Sequence, residues 1–115
     1  MTVTIFHNPR CTKSRATLKL LRARGLEPEI VEYLETPPSA EEFREILAKL
    51  KLGPRDVIRK GEKMYKQLEL ADTSLTDTAL ITAMVGNPIL IERPIVVHGE
   101  KAAIGRPPEN VLDIL

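Results

Sequence analysis

The sequence predicts an α/β fold in which a mixed β-sheet is flanked by helices, with a helical insertion between the second and third strands. Three observations lead to this prediction: a strand-helix-strand opening, a helical middle punctuated by glycine and proline, and a closing pair of strands with a helix. A length of 115 residues is ordinary for one domain. We therefore expect a single domain over 1–115, with the insertion at about 39–86.

The opening elements follow from short, well-separated patterns. Apolar Val3, Ile5 and Phe6 predict a strand that ends at a proline-containing loop. Residues 11–24 predict a helix, because leucines recur among lysines and arginines and a glycine follows in the C-cap region. Residues 29–34 favour a second strand. This order supplies a parallel pair of strands.

Helices dominate the predicted middle of the chain. Ser39 and Glu42 form a capping-box signature, and apolar residues at helical spacing follow it. Three further helical segments are predicted at 55–60, 64–70 and 77–85, the last capped by Thr76.

The last part of the chain has strand character. Residues 89–91 favour a strand, and 95–97 with 102–104 favour a hairpin that turns at Gly99. A final helix is expected after two consecutive prolines. This element order fits a thioredoxin-like sheet. In that fold a proline-bearing loop before the third strand faces the first loop, so we expect a cis Arg93–Pro94 bond.

Composition excludes several classes of function. A single cysteine cannot form an internal disulfide, and with only two histidines it cannot complete a structural zinc site, so we expect no metal. A net charge of +1 and 3% aromatic residues give no basis for nucleic-acid binding. No apolar run suits a signal peptide or a membrane span, so we expect a cytoplasmic protein without a membrane partner.

The only cysteine, Cys11, follows the first predicted strand and stands at the start of the first predicted helix. Backbone amides and the helix dipole stabilise negative charge at such a position. Arg10, Lys13 and Arg15 are nearby cations that favour a thiolate. A buried inert thiol is the alternative, but the polar residues after the cysteine favour a reactive one.

Two neighbours define the chemistry of this loop. Ser14 can donate a hydrogen bond to the sulfur from one helical turn away, and His7 can tune the thiol or simply order the loop. Because position 14 is serine, a Cys-x-x-Cys dithiol cycle is impossible, and Thr17 rules out a Cys-x5-Arg phosphatase motif. The cysteine must therefore obtain its second thiol from another molecule.

Three distant arginines are candidate oxyanion ligands. Arg59, Arg93 and Arg106 each lie beside apolar or backbone-constraining residues, and the last two directly precede prolines. A guanidinium held in one direction suits a tetrahedral oxyanion. Taken alone, an arginine of this kind is more often a solvated surface residue, and sequence spacing does not show that the three converge.

The sequence resembles the glutaredoxin-dependent arsenate reductases, a family of ArsC type. The resemblance lies in blocks that keep their order along the chain: 5–11, 14–15, 33–38, 93–97 and 111–115. It implies a thioredoxin-like core with a helical insertion.

The resemblance also implies roles for individual residues. Cys11 corresponds to the cysteine that attacks arsenate, and Arg59, Arg93 and Arg106 correspond to the arginines that bind the oxyanion and stabilise the thiolate. Two supporting positions, with tuning and hydrogen-bonding roles, fall on His7 and Ser14. Glutathione would be a co-substrate, glutaredoxin the protein partner, and no cofactor would be bound.

Two other functions fit the same residues. One is an arsenate-reductase-like thiol protein that acts on a different substrate, such as a glutathione conjugate or another oxyanion. The other is a regulator of the Spx type that binds RNA polymerase, although such regulators typically carry the Cys-x-x-Cys switch that Ser14 removes here. We expect a monomer.

Overall fold

Two strands from the beginning of the chain and two from its end form one four-stranded sheet in the computed structural model, which describes residues 2–115. The strands are β1 (Val3–Phe6), β2 (Glu29–Val31), β3 (Ile95–His98) and β4 (Lys101–Ile104). Their spatial order is β2-β1-β3-β4. β1 runs parallel to β2 and antiparallel to β3, and β3 is antiparallel to β4. The mixed sheet with helices confirms the predicted fold class.

The chain forms two compact units. The first contains the residues up to Thr36 together with Arg93–Leu115 and holds the sheet, helix α1 (Thr12–Ala23) and a 3₁₀ segment (Pro108–Ile114). The second is the helical region Pro37–Glu92. The expectation of a single domain stays a prediction.

None of the helices within residues 2–115 is long and apolar enough to cross a membrane.

The core of the first unit lies between the sheet, α1 and the 3₁₀ segment. Alternation along β1 turns Val3 and Ile5 inward, and Ile5 pairs with the fully buried Val96 of β3. Leu21 of α1 and Val111 of the 3₁₀ segment complete this cluster without solvent exposure. Burial of each such side chain contributes about 1.5–3 kcal/mol, which holds α1 against the sheet.

The second unit consists of short helices with their own buried residues. These are α2 (Ala40–Leu50), α3 (Pro54–Val57), α4 (Lys63–Gln67) and α5 (Asp77–Gly86), followed by a 3₁₀ turn (Pro88–Leu90). α2 packs against α5, and both bury apolar side chains, namely Phe43, Ile46, Leu47, Leu80, Ile81 and Met84.

Local hydrogen bonds explain where the helices begin. The predicted capping box is confirmed, since the Glu42 amide donates to Ser39 Oγ and the Ser39 amide donates to Glu42 Oε1. Thr76 Oγ1 accepts from the Ala79 amide and caps α5, as predicted. After α1, Gly25 adopts φ +77°, a left-handed conformation that glycine reaches without a Cβ penalty.

Several predicted elements differ from the structure. The helix predicted at 55–60 ends at Val57, because Ile58 is extended and bridges Ile91. β2 ends at Val31 rather than at residue 34, because the amides of Glu35 and Thr36 bond to the Glu32 carbonyl and close a turn. The predicted strand at 89–91 is wrong. A 3₁₀ turn occupies most of this stretch, since Pro88 fixes a φ suited to a helical turn and the Leu90 amide bonds to Asn87 O.

The last predicted helix is a further difference. The predicted last helix is a 3₁₀ segment whose turns close over three residues, as in the bond from the Asn110 amide to Pro107 O. The predicted cis bond at Arg93–Pro94 is confirmed, and Arg106–Pro107 is also cis, which the sequence did not predict.

The end of β4 approaches α1 very closely at Gly105. A Cβ atom at this buried position would lie 2.5 Å from Thr17 Oγ1 and 2.9 Å from Pro94 Cγ. The Gly105 amide also bonds to Pro94 O at 2.9 Å. The absence of a side chain therefore lets three segments of the first unit meet.

We expect Gly105→Ala to lower the free energy of unfolding by about 1–3 kcal/mol, because the added methyl group overlaps Thr17 and Pro94. Urea denaturation measures the change. Gly86→Ala is the matched control, since a Cβ at Gly86 in α5 meets nothing within 4 Å. An equal loss in both variants would contradict the packing explanation.

Candidate functional site

Cys11 occupies the N-cap of α1, at the end of the loop that leaves β1. Its backbone is extended, with φ −93° and ψ 123°, so the helix begins at the next residue. The amides of the first helical turn have no carbonyl partner within the helix and carry the positive end of its dipole. The side chain is 8% exposed. The sulfur therefore lies at the positive end of the helix dipole and makes no capping hydrogen bond to the first-turn amides.

Asn8 organises the cysteine loop through three hydrogen bonds. Its carbonyl accepts from the Cys11 amide at 3.0 Å, and its side-chain Oδ1 accepts from the Arg10 amide at 3.0 Å. Its own amide donates to Ser14 Oγ at 3.0 Å. We did not single out this residue from the sequence, although an asparagine before a proline is a turn signal.

The predicted supporting residues His7 and Ser14 lie together. His7 Nδ1 is 2.6 Å from Ser14 Oγ, and both residues are buried. The serine hydroxyl contacts His7 and the Asn8 amide, whereas we expected it to donate to the sulfur. Of the two roles left open for His7, this geometry matches ordering of the loop.

The environment of His7 favours the neutral imidazole. Burial lowers the pKa of His7 from its ordinary value of 6.5, and the positive charges of Arg22 and Arg15 lower it further. Glu32 opposes this shift by raising the pKa. A neutral ring keeps one nitrogen as a hydrogen-bond acceptor, which suits a hydroxyl partner.

Arg106 brings a positive charge to the thiol from the far end of the chain. Its Nη2 lies 3.6 Å from Cys11 Sγ, a hydrogen-bonding distance for sulfur. Its Nε donates to the carbonyl oxygen of Arg93 at 2.7 Å. One guanidinium therefore contacts both the thiol and the backbone just before Pro94, and three predicted site residues, Cys11, Arg93 and Arg106, meet at this point.

Arg93 places its side chain partly inside the protein. The atoms Nε and Nη1 of its guanidinium are shielded from solvent. A positive charge removed from water acts more strongly on a nearby anion, because screening is reduced.

The cations next to Cys11 in the sequence have other contacts or are exposed. Arg15 Nη1 donates to Pro9 O at 3.0 Å, and this exposed hydrogen bond stabilises the loop. Arg10 and Lys13 are exposed. Arg106 does contact the sulfur, which sequence proximity alone does not indicate.

The third predicted arginine, Arg59, belongs to the second unit. Its Nη1 lies 2.6 Å from Glu62 Oε1, and its Nε lies 3.8 Å from Glu92 Oε1. Its backbone amide bonds to Leu90 O at 2.7 Å. Both glutamates were missed from the sequence, although the spacing of three residues to Glu62 is a recognisable ion-pair signal.

A cleft of about 400 Å³ opens along the cysteine loop. The loop side is formed by residues 7–10, and the opposite side by Glu32, Leu34 and Glu35. Arg10 and the two glutamates line it with both signs of charge. Within residues 2–115, no group of three or more His, Cys, Asp or Glu side chains is arranged to hold a metal ion.

We expect the protein to lose stability as the pH falls below 6.5, because His7 gains a proton more readily in the unfolded chain than in the folded one. This contribution is fully present above 6.5 and disappears as the pH approaches the lowered pKa of folded His7. Denaturation at several pH values should show a smaller slope for His7→Gln. A wild-type slope in His7→Gln would contradict the assignment.

Comparison with known proteins places these features in a family. Residues 6–114 match the ArsC family. The chain is 57% identical to the uncharacterized protein YfgD of Escherichia coli K12, covering 98% of this chain and 96% of that protein. It is 47% identical to an arsenate reductase of Neisseria meningitidis serogroup A, with coverage of 98% and 97%. A solved arsenate reductase from Vibrio cholerae superposes with a TM-score of 0.98 at 51% identity, covering 100% and 98%. The chain therefore belongs to the ArsC family.

Proposed function

We propose that this protein reduces arsenate to arsenite and that Cys11 is its nucleophile. The contact that carries the proposal joins Cys11 Sγ to Arg106 Nη2 at 3.6 Å, at the N-terminus of α1. A thiolate paired with a guanidinium and a helix dipole is suited to attack an electrophile that is itself an anion. Relatives named arsenate reductase over nearly the full chain support the choice of oxyanion.

The oxyanion would be held by donors around the sulfur. Arg106 donates from Nε to the Arg93 carbonyl oxygen and from Nη2 to Cys11 Sγ, which places its positive charge beside the sulfur where the oxyanion would bind. The first-turn amides of α1 and the shielded guanidinium of Arg93 add further positive potential. Arg59 is the third arginine by family resemblance. Such fixed donors stabilise the charge that accumulates on arsenate oxygens during attack.

The proposed reaction begins with a bond between the Cys11 sulfur and arsenic. One arsenate oxygen leaves as water after protonation, and the arsenic stays pentavalent. A glutathione thiol then displaces a second oxygen in the same way. A glutaredoxin thiolate attacks the glutathione sulfur, and the electron pair of the sulfur–arsenic bond passes to arsenic. Water finally releases arsenite from Cys11.

The electrons must come from other molecules. Reduction of arsenate to arsenite needs two electrons, and the chain contains one cysteine, so it cannot form an internal disulfide. In the proposed route these electrons leave as a mixed disulfide between glutathione and glutaredoxin. A cytoplasmic location, where thiols stay reduced, fits this requirement.

The cleft beside the loop supports a charged peptide as co-substrate. Glutathione carries two carboxylates and one ammonium group. Arg10 offers a partner for a carboxylate, and Glu32 or Glu35 offers one for the ammonium. We propose that glutathione approaches the loop along this cleft.

Cys11→Ser should abolish arsenite formation in an assay that contains arsenate, glutathione, glutaredoxin and its reductase system, because the serine hydroxyl is a far weaker nucleophile at neutral pH. Arsenite is measured directly by chromatography. Omission of glutathione or of glutaredoxin should also stop the wild-type reaction. Activity that survives in Cys11→Ser would reject the proposed mechanism.

Arg93→Ala and Arg106→Ala should each lower kcat/KM for arsenate by roughly 10²–10³, the usual loss when one fixed oxyanion donor is removed. Arg24→Ala is the control, because Arg24 is an exposed residue at the C-cap of α1 and carries the same charge. Steady-state kinetics of the three variants give the comparison. Equal losses in all of them would argue against a specific arginine site.

A further inference from the structure

Arg59 lies between two carboxylates of the second unit. Glu62 Oε1 is 2.6 Å from Nη1, and Glu92 Oε1 is 3.8 Å from Nε. All three side chains are between 23% and 29% exposed, so these charges are only partly screened by water. We call this group the Arg59 triad.

The backbone fixes the triad in place. Ile58 and Ile91 form an isolated antiparallel bridge, and both are buried. On either side of this bridge, the Arg59 amide donates to Leu90 O at 2.7 Å and the Glu92 amide donates to Val57 O at 2.8 Å. Glu62 follows in the chain after a short turn, in which its own amide bonds to Arg59 O at 3.4 Å. The two glutamates are therefore held beside the guanidinium by main-chain bonds.

The net negative charge of the triad opposes the binding of an oxyanion, which is the role expected of Arg59. One guanidinium and two carboxylates sum to −1 when all are ionised, and the described ion pairs use Nε and Nη1 while leaving Nη2 without one. An arriving oxyanion would find a donor at Nη2 but would be repelled by both carboxylates. The oxyanion is attracted by the full charge of Arg59 only if the ion pair between Glu62 and Nη1 breaks.

We propose that Glu62 and Glu92 determine the oxyanion affinity of Arg59 by competing with the ligand for its guanidinium. This inference rests on the proposed role of Arg59 as an oxyanion ligand. The competition weakens binding of any tetrahedral oxyanion, phosphate included, and makes the remaining arginines and the thiol more important for selection. Glu62 has the larger effect, because it is closer to the guanidinium than Glu92.

Calorimetric titration with inorganic phosphate tests the competition directly. We expect Glu62→Gln to lower the Kd for phosphate by about fivefold, the upper range for a partly exposed charge pair, and Glu92→Gln to lower it less. In the arsenate assay the same variants should lower KM and leave kcat nearly unchanged. Far-ultraviolet circular dichroism confirms that each variant is folded.

Two controls separate the triad from general charge effects. Glu45→Gln removes one negative charge from the exposed face of α2 and should leave the Kd unchanged. Adding Glu62→Gln to Arg59→Gln should not lower the Kd for phosphate any further, because the guanidinium for which Glu62 competes is absent. An unchanged or raised Kd in Glu62→Gln, an equal gain in Glu45→Gln, or no phosphate binding by either wild type or Glu62→Gln would overturn the inference.

The phosphate titration is independent of catalysis. If the wild-type protein binds phosphate but forms no arsenite, the proposed function fails while the effect of Glu62 on Kd is still measured. If Arg59→Gln binds phosphate as the wild type does, arsenite formation can still be observed, but Arg59 is not an oxyanion ligand and the inference is wrong.

Discussion

The contact between Arg106 and Cys11 depends on how closely the end of β4 approaches α1. Gly105 lies against Thr17 and Pro94 with no room for a Cβ atom, and the next residue is the arginine that contacts the thiol. From this position the guanidinium donates to both the sulfur and the Arg93 carbonyl. The chemistry of the thiol thus rests on a steric constraint that involves no charged group.

Charge in this protein is arranged locally, since the whole chain carries a net charge of only +1. In the first unit, the helix N-terminus and Arg106 create positive potential at one sulfur atom. His7 stays neutral through burial and supports the loop by its contact with Ser14. In the second unit, two carboxylates more than offset the charge of Arg59. Arg106 in the first unit therefore contacts a thiol, whereas Arg59 in the second unit is paired with carboxylates.

The sequence was sufficient where local patterns decide the structure. The N-terminal position of Cys11 on α1, the capping box at Ser39 and the hairpin of β3 and β4 all follow from spacing over a few residues. It was insufficient where local preferences compete or where the folded geometry selects the partner. Residues 89–91 are apolar enough for a strand, yet Pro88 starts a 3₁₀ turn there. The bond from Arg15 to Pro9, the partners of Ser14 and the pairing of Arg59 with Glu92 depend on a folded geometry that residue type does not reveal.

The separation between Cys11 and Arg106 also bears on how the protein is made. A chain emerges from the ribosome at about 5–20 residues per second, with its N-terminal part first. The cysteine loop and α1 are synthesised early, but β3, β4 and Arg106 come last among the elements around the sulfur. The thiol therefore acquires its contact with Arg106 only after β3 and β4 have been translated, well after the cysteine loop and α1.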